Sequence, residues 1–277
     1  MAYGIVFGAM LIRRALYDRK AVEAESGRFS LLSLLEVGVC FLVTLGISDY
    51  LLNTLVSHRF APMETKKLPG TLVVAGMLPA AIIAFFLLKV DDPISLSTLI
   101  PCAISIVCGA LFGVRIVTGL DSERVRKYMA IALIVSLGAL VFRIILTRGA
   151  AGTATSLSIP KLIIAVVVAF FWGAVNMLGV PMKPAGTALF LLLGLSPLST
   201  LTLVLVLACI SVLGGSIPMM RSGLYHQKLS CASAVGGSIG AVLGSLFAIS
   251  LHPTLLNIIL MIVMVVAIRT LVKKKEH

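Results

Sequence analysis

The stretch Leu178-Gly-Val-Pro-Met-Lys-Pro-Ala-Gly-Thr187 places glycine, proline and lysine inside an otherwise apolar segment. A second stretch, Leu45-Gly-Ile-Ser-Asp-Tyr-Leu-Leu-Asn53, interrupts another apolar segment with glycine and a charge. Apolar helices broken at corresponding places in two halves of a chain are typical of secondary transporters, whose substrate sites lie at such breaks near the middle of the bilayer. The two stretches therefore predict discontinuous membrane helices with a binding site between them.

The composition of the whole chain indicates an integral membrane protein. Of its 277 residues, 59% are hydrophobic and 12% are charged, and the mean hydropathy is +1.11. A soluble domain carries about 25% charged residues, so this chain has too few polar side chains to cover a globular surface. Apolar runs such as 71–88 and 162–178 are long enough to cross a bilayer as helices, in which backbone polar groups bond to one another. The predicted fold class is therefore an all-α, polytopic membrane protein.

Two short patterns recur between the halves of the sequence. Leu45-Gly46-Ile47 and Leu178-Gly179-Val180 are 133 positions apart, and Gly109–Gly113 and Gly240–Gly244 are 131 positions apart. Two matches at nearly equal separation predict an internal duplication of about 130 residues. The predicted division is an N-terminal short helix with a cytoplasmic segment (1–30), repeat 1 (31–149), a linker (150–160) and repeat 2 with a basic tail (161–277). The predicted membrane segments are 31–58, 69–88, 94–117 and 127–147 in repeat 1, and 161–192, 198–218, 230–250 and 255–272 in repeat 2.

The distribution of basic residues predicts how these segments cross the membrane. The formal net charge of +12 would suit a nucleic-acid partner in a soluble protein, but here the cations lie in short loops, and the positive-inside rule explains them without one. If the opening segment of each repeat crosses the membrane once, 15 basic residues lie inside and 7 outside. If it is a re-entrant hairpin, 18 lie inside and 4 outside. The sequence therefore predicts two inverted repeats, each a broken or re-entrant hairpin plus three transmembrane helices, with the C-terminus in the cytoplasm.

The breaks also carry the residues that we expect to bind substrate. A charge deep in a bilayer costs at least about 2.5 kcal/mol, so Asp49 and Lys183 require a partner or a function. If the second arms of the hairpins begin at about Ser48 and Pro184, their N-terminal N–H groups and Lys183 together suit a small anion. The alternative is that Asp49 caps a helix and Lys183 extends to the interface. The candidate binding residues are Gly46, Ser48, Asp49, Asn53, Gly179, Pro181, Lys183, Pro184, Gly186 and Thr187, with Asp49 also the candidate coupling group.

Glu36 is a second carboxylate within a predicted membrane segment. It follows Ser30 by six residues, so a position at the membrane interface is expected, with a role in coupling as the alternative.

The sequence does not favour an enzyme. It contains no HExxH or GxSxG motif and no cluster of histidine and cysteine, and Asp49 lacks a second aspartate within the predicted membrane core. The five cysteines lie in apolar stretches without CxxC spacing, which is typical of small packing residues. No metal site and no cofactor are predicted.

Three stretches of the second half resemble the TauE/SafE sulfite exporter family. They are Met177-Leu-Gly-Val-Pro181, Arg221-Ser-Gly-Leu-Tyr225 and Gly236-Gly-Ser-Ile-Gly-Ala-Val-Leu-Gly-Ser-Leu246. A fainter copy stands in the first half, in Leu45-Gly-Ile-Ser-Asp49 and Cys108-Gly-Ala-Leu-Phe-Gly113, so the resemblance covers about 31–273. Members commonly carry three glycines after the Leu-Gly-Ile/Val element, where this chain has Ser48-Asp49-Tyr50 and Pro181-Met182-Lys183. This departure falls at the proposed site.

The resemblance implies a secondary transporter of sulfite, a sulfonate or a related organosulfur anion. With the predicted repeats, we expect alternating access, coupling to protons or another ion, and a multi-pass location in a bacterial cytoplasmic membrane. A passive anion channel and a non-transporting membrane scaffold are the alternative functions. The expected partners are the anion and the lipid bilayer, and self-association into a homo-oligomer is left open.

Overall fold

The described part of the chain is helical. The computed structural model describes residues 2–44, 49–87, 94–125, 127–128, 131, 138, 152–179 and 183–250. The helices are α1 (Ala2–Tyr17), α2 (Arg19–Ala24), α3 (Phe29–Thr44), α4 (Asp49–Phe60), α5 (Leu68–Leu87), α6 (Leu96–Gly119), α7 (Ile159–Asn176), α8 (Lys183–Leu192), α9 (Pro197–Ser222), α10 (Gln227–Ala232) and α11 (Ser238–Ser250). A 3₁₀ turn, Thr65–Lys67, precedes α5, and a π-helical turn, Ser233–Gly237, joins α10 to α11. The predicted segments 127–147 and 255–272 lie largely or wholly outside the described residues.

Five helical stretches in these ranges are long and apolar enough to cross a membrane. They are Thr65–Phe86, Leu96–Gly119, Ile159–Asn176, Ser199–Ser222 and Gln227–Phe247. Large apolar side chains such as Ile104, Ile163 and Phe171 stand exposed on the outer faces of α6 and α7, where lipid rather than water would cover them. The prediction of an all-α, multi-pass membrane protein is confirmed for the described residues.

Each opening segment folds back so that its two ends lie together. In the first, the Ser26 hydroxyl, before α3, donates a hydrogen bond of 2.8 Å to the carbonyl of Pro62, after α4. In the second, the backbone N–H of Ser196 donates to the carbonyl of Ala154 over 2.9 Å, and the Lys161 ammonium donates to the carbonyl of Leu193 over 2.7 Å. The helices α3 and α4 therefore form one hairpin, and α7 and α8 form another.

The two hairpins open at opposite ends of the molecule. At the His226 end, which we define by Glu25, Pro62 and His226, the start of α5 is fixed by a 2.8 Å bond from the His226 N–H to the Thr71 hydroxyl. At the Ser95 end, which we define by Ser95, Thr155 and Leu195, the Ser95 N–H donates to the Thr155 carbonyl over 3.0 Å. Helix α9 begins beside Leu195 and ends four residues before His226, so it runs from one end to the other.

Two helix seams of the same design hold the hairpins to the rest of the protein. In the α6–α7 seam, Gly109 lies against the carbonyl of Phe170 and Gly113 against that of Ala174. In the α3–α11 seam, Gly240 lies against the carbonyl of Val37 and Gly244 against that of Phe41. A methyl group at any of these four glycines would collide with the carbonyl oxygen opposite, so glycine is required for this close approach. These glycines therefore have a packing role.

The contacts of the two seams lie at similar separations along the chain. The glycines Gly109 and Gly240 are 131 positions apart, and their partners Val37 and Phe170 are 133 positions apart. The third helix of each half thus packs against the opening helix of the other half. This exchange makes the two halves one packed unit.

The N-terminal segment is a helix that packs onto this unit. The side chains of Phe7 and Leu11 on α1 are fully buried in a cluster that includes Met77 of α5 and Met219 of α9. Helix α1 in this segment extends from Ala2 to Tyr17. All five cysteines lie in the described residues and none forms a disulfide.

Candidate functional site

The break in the second half lies just after the end of α7, at a glycine, Gly179. The N–H groups of Leu178 and Gly179 donate to the carbonyls of Val175 and Asn176 over 3.0 and 2.9 Å, which closes the last turn of α7. Gly179 has φ +80°, a left-handed conformation that side chains other than glycine rarely adopt and that commonly ends helices. The predicted interruption is therefore confirmed at Gly179, and α8 begins at Lys183, one residue before Pro184.

The second arm of this hairpin packs tightly on the first. A methyl group on Gly186 would collide with the indole ring of Trp172, which is 2% exposed. Thr187, the next residue, is also buried. The structure thus gives Gly186 a packing role, and binding of substrate by Gly186 and Thr187 stays a prediction.

Asn53 is the predicted site residue that the structure describes most fully in the first half. It lies on α4, which packs against α3 and α5, and it is 5% exposed. Its Oδ1 atom receives no hydrogen bond from any residue in the described ranges. A buried amide with unused hydrogen-bonding capacity requires an explanation, and a bound ligand or water would supply one.

The other predicted site residues are only partly covered by the structure. Gly46, Ser48 and Pro181 lie outside the described residues, as do the side chains of Asp49, Lys183 and Pro184. The backbone shows that α4 begins at Asp49 and α8 at Lys183, close to the starts predicted for the second arms. The contacts of Asp49 and Lys183 therefore stay predictions.

One polar contact at the break was not predicted from the sequence. The side-chain amide of Asn176, the last residue of α7, donates a 3.0 Å hydrogen bond to the hydroxyl of Ser211 on α9. The hydroxyl belongs to a fully buried residue. This bond connects the end of α7 to the membrane-spanning helix α9. The sequence feature that could have predicted it is the polar residue Asn176 immediately before the break.

Glu36 is enclosed by the protein, and the interfacial position expected for it stays a prediction. The residue is 0% exposed and lies in the seam where α3 meets the π-helical turn. The Cys40 thiol is 3.9 Å from its Oε2 atom, and the Cys40 sulfur is 4.0 Å from the hydroxyl of Ser233 in that turn. Its burial is produced by helices from the other half of the chain.

The His226 end carries a partly buried ionic cluster. The Glu25 carboxylate accepts hydrogen bonds from the N–H groups of Gln227 and Lys228 over 3.0 and 2.6 Å, where an anion is favoured by the helix dipole. His226 Nδ1 accepts from the Leu229 N–H over 3.1 Å and so caps α10. His226 lies before the membrane-spanning helix, and burial lowers its pKa, against the opposing effect of nearby Glu25.

A cavity of about 410 Å³ opens at this ionic cluster. Its polar lining combines both charge signs, from Glu25, Glu64, Lys67 and His226. A second cavity, of about 510 Å³, lies between α1 and α9 and is lined by Arg13, Arg14, Tyr17, Asp18, Met220 and Arg221. Both cavities lie at the His226 end, whereas the hairpin at the Ser95 end is closed by the Lys161 contact described above.

The comparison with known proteins agrees with this architecture. No curated protein and no solved structure matches the chain. The sequence model of the family described as Sulfite exporter TauE/SafE matches residues 63–271, which is more than half of the chain and includes the α6–α7 seam and the second hairpin. The resemblance seen in the glycine-rich motifs is thereby confirmed, and the chain belongs to the TauE/SafE sulfite exporter family of membrane transport proteins.

Proposed function

We propose that this chain is a secondary transporter that moves a small anion by alternating access between two inverted repeats. The observation that carries the proposal is the pair of hairpins that open at opposite ends of one helical unit. Two equivalent halves facing opposite sides can exchange conformations and so expose one site alternately to each side. The reciprocal seams support this reading, since each repeat packs its third helix on the opening hairpin of the other.

The repeats in this proposal span 31–149 and 161–277, with 150–160 as the linker and 1–30 as an N-terminal cytoplasmic segment. The described basic residues support a cytoplasmic His226 end, since Arg14, Lys67, Arg221 and Lys228 all lie there and cytoplasmic loops carry an excess of such residues. The Ser95 end would then face outside a bacterial cytoplasmic membrane, and the C-terminus would lie inside.

The anion site is proposed at the starts of the two short arms. Helix α4 has 12 residues and α8 has 10, so they are about 18 and 15 Å long, and half of a bilayer core is also about 15 Å. The N-termini of both arms would therefore lie near the midplane, where their N–H groups favour an anion. Lys183 would add a positive charge, and Gly46, Ser48, Asn53, Gly179, Pro181, Pro184, Gly186 and Thr187 would form the remaining surface.

The substrate class proposed from the family is sulfite, a sulfonate or a related organosulfur anion. Such anions present several oxygen acceptors on one sulfur, which suits convergent N–H donors and one ammonium group. Asp49 is the proposed coupling group of this site. It would bind a proton or cation together with the anion, because an uncompensated carboxylate beside an anion is unfavourable in a low-dielectric site.

Transport by purified protein in liposomes tests the proposal. Sulfite, sulfate, thiosulfate and a small sulfonate would each be offered with and without a pH gradient. We expect gradient-dependent flux of at least one anion, loss of that flux in Lys183→Ala, and loss of the gradient dependence in Asp49→Asn. The variant Lys127→Ala, which removes an exposed lysine that follows the end of α6 by eight residues, is the control and should transport normally.

The alternatives give different results in the same assay. A passive channel would conduct the anion down its gradient without coupling and would tolerate Asp49→Asn. A scaffold would give no flux of any anion from correctly folded protein.

A further inference from the structure

The cavity between α1 and α9 has a surplus of positive charge. Its volume is about 510 Å³, and its charged lining consists of the guanidinium groups of Arg13, Arg14 and Arg221 and the carboxylate of Asp18. The other cavity at the His226 end has two carboxylates beside one lysine and one histidine. Of these two cavities, the one between α1 and α9 is therefore the one whose charge favours an anion.

The ends of two helices account for part of this positive charge. Arg14 lies in the last turn of α1 and Arg221 in the last turn of α9, and a helix C-terminus carries about half a negative charge. The two C-termini and the Asp18 carboxylate together offset about two of the positive charges. About one positive charge remains, which matches the single negative charge of a phosphodiester.

One of the three arginines is held in a fixed position by the protein. The Arg14 Nη1 atom donates a hydrogen bond to the Met220 carbonyl, Nε lies 3.9 Å from the Asp18 carboxylate, and the guanidinium carbon is 5.9 Å from the centre of the Tyr225 ring. Arg13 and Arg221 are exposed. Guanidinium groups bind phosphate oxygens in pairs, so one fixed and two exposed arginines suit a phosphate group that arrives from outside the protein.

The path of α1 shows that this cavity lies beside the membrane region. Arg14 is at the His226 end, whereas a methyl group on Gly4 would be 3.6 Å from the side chain of Leu78 on α5. Leu78 follows Leu68, the first residue of α5, by ten residues, which is about 15 Å of helix. Helix α1 therefore leads from the cavity toward the middle of the membrane-spanning helices.

The outer face of α1 is apolar along this path. Val6, Ile12 and Leu16 are 55%, 60% and 69% exposed. Tyr17, at the end of the helix, lines the cavity and is 90% exposed, and tyrosine is typical of the boundary between lipid headgroups and hydrocarbon. An anion that carries hydrocarbon chains would satisfy both the arginines and the apolar face, whereas a water-soluble anion would satisfy only the arginines.

We propose that the cavity between α1 and α9 binds the phosphodiester group of an anionic phospholipid, whose acyl chains lie along the outer face of α1. Basic pockets between helices on the cytoplasmic side of a membrane bind lipid headgroups in this way, and the His226 end is the end proposed to face the cytoplasm. The bound lipid would join α1 to α9 and so stabilise the folded protein. The inference depends on the membrane location of the chain and not on transport.

Native mass spectrometry of the purified protein in a neutral detergent tests the site, because it counts bound lipid molecules. Phosphatidylglycerol, which carries one negative charge, would be compared with phosphatidylcholine of the same acyl chains. We expect the wild type to bind one phosphatidylglycerol in preference to phosphatidylcholine. The double variant Arg13→Gln/Arg221→Gln should bind it about 30-fold more weakly, since each basic residue near an anionic headgroup contributes about fivefold.

The matched control removes the same charge from the same end of the molecule. Arg28 and Arg59 are exposed and do not line the cavity, so Arg28→Gln/Arg59→Gln should weaken binding by less than about threefold. Equal weakening in both double variants, no weakening in the cavity variant, or no preference of the wild type for phosphatidylglycerol would each overturn the proposal.

Two soluble anions distinguish a lipid from a free phosphate group. Inorganic phosphate and glycerol phosphate present the phosphate without acyl chains, and neither should displace phosphatidylglycerol at equal concentration. Displacement by either would assign the cavity to a soluble anion and overturn the lipid proposal.

Thermal unfolding gives an independent measurement in solution. Phosphatidylglycerol should raise the unfolding temperature of the wild type and of Arg28→Gln/Arg59→Gln, but not that of the cavity variant. If the cavity variant does not fold, Arg13→Gln alone should weaken lipid binding about fivefold. An equal rise in unfolding temperature for all three proteins would contradict the proposal.

Discussion

The two helix seams share their backbone geometry but differ in chemistry. In the α6–α7 seam, Ala169 and Gly173 fill the interface with small apolar groups, and in the α3–α11 seam, Glu36 and Cys40 occupy the corresponding positions. The glycines that permit close approach are present in both. The comparison separates what the fold requires, which both seams contain, from what one seam adds. Residues found in only one seam are therefore the first candidates for function.

The largest effect is expected when a glutamate is placed in the α6–α7 seam, which has no acidic residue at this position. We expect Ala169→Glu to lower the free energy of unfolding by about 3 kcal/mol or more, because the α6–α7 seam offers the carboxyl group no cluster comparable to Cys40 and Ser233. Glu36→Ala should leave stability unchanged or raise it. Thermal unfolding in detergent would show both effects. Equal losses in the two variants would mean that Glu36 stabilises the fold.

Replacing a contact glycine by alanine should lower stability by a similar amount in either seam. We expect Gly109→Ala and Gly240→Ala each to lower stability by about 1–3 kcal/mol, because the added methyl meets a carbonyl oxygen on the facing helix. Gly38→Ala in α3 and Gly76→Ala in α5 are matched controls, since nothing lies within 4 Å of a methyl at either position. The controls should unfold no earlier than the wild type. A loss in only one seam would show that the two are not equivalent.

The two ends of the molecule offer a second comparison. At the His226 end, a charged carboxylate, Glu25, holds the start of α10 by two N–H bonds, whereas at the Ser95 end the Thr98 hydroxyl accepts one bond from Leu157 over 3.0 Å. Hydrogen bonds to charged groups are the stronger, so Glu25→Ala should cost about 2 kcal/mol and Thr98→Val about 1 kcal/mol. Unfolding measurements on the two variants would check the order. A larger loss for Thr98→Val would contradict it.

The smallest expected effect is a pH dependence confined to the His226 end. Because the pKa of His226 is lowered by burial, the unfolded chain binds a proton more readily than the folded chain. Stability should therefore be complete above the ordinary value of 6.5 and should decline as the pH falls below it. Asn is a good N-cap, so His226→Asn should keep α10 capped and remove that part of the decline. A decline of the same size in the variant would assign it to other groups.

Much of the fold could be predicted from the sequence because glycine and proline mark breaks locally. The stop at Gly179 and the start of α8 beside Pro184 depend on residues whose effect is set by their own backbone. The burial of Glu36 could not be predicted, since it depends on helices distant in sequence. The fit of Gly186 against Trp172 could not be predicted either, since it depends on how the two arms of one hairpin pack. The anion contacts of Asp49 and Lys183 stay predictions, supported by where α4 and α8 begin.

The inverted arrangement of the two hairpins is the central claim, and cysteine accessibility tests it most directly. Single cysteines would be placed at Ser122 and Ser156, both exposed, in a chain lacking the five native cysteines, and treated with a membrane-impermeant thiol reagent. The account predicts that Ser122→Cys reacts only from the cytoplasm and Ser156→Cys only from outside. Labelling of the two positions from the opposite sides, or of both from the same side, would contradict it.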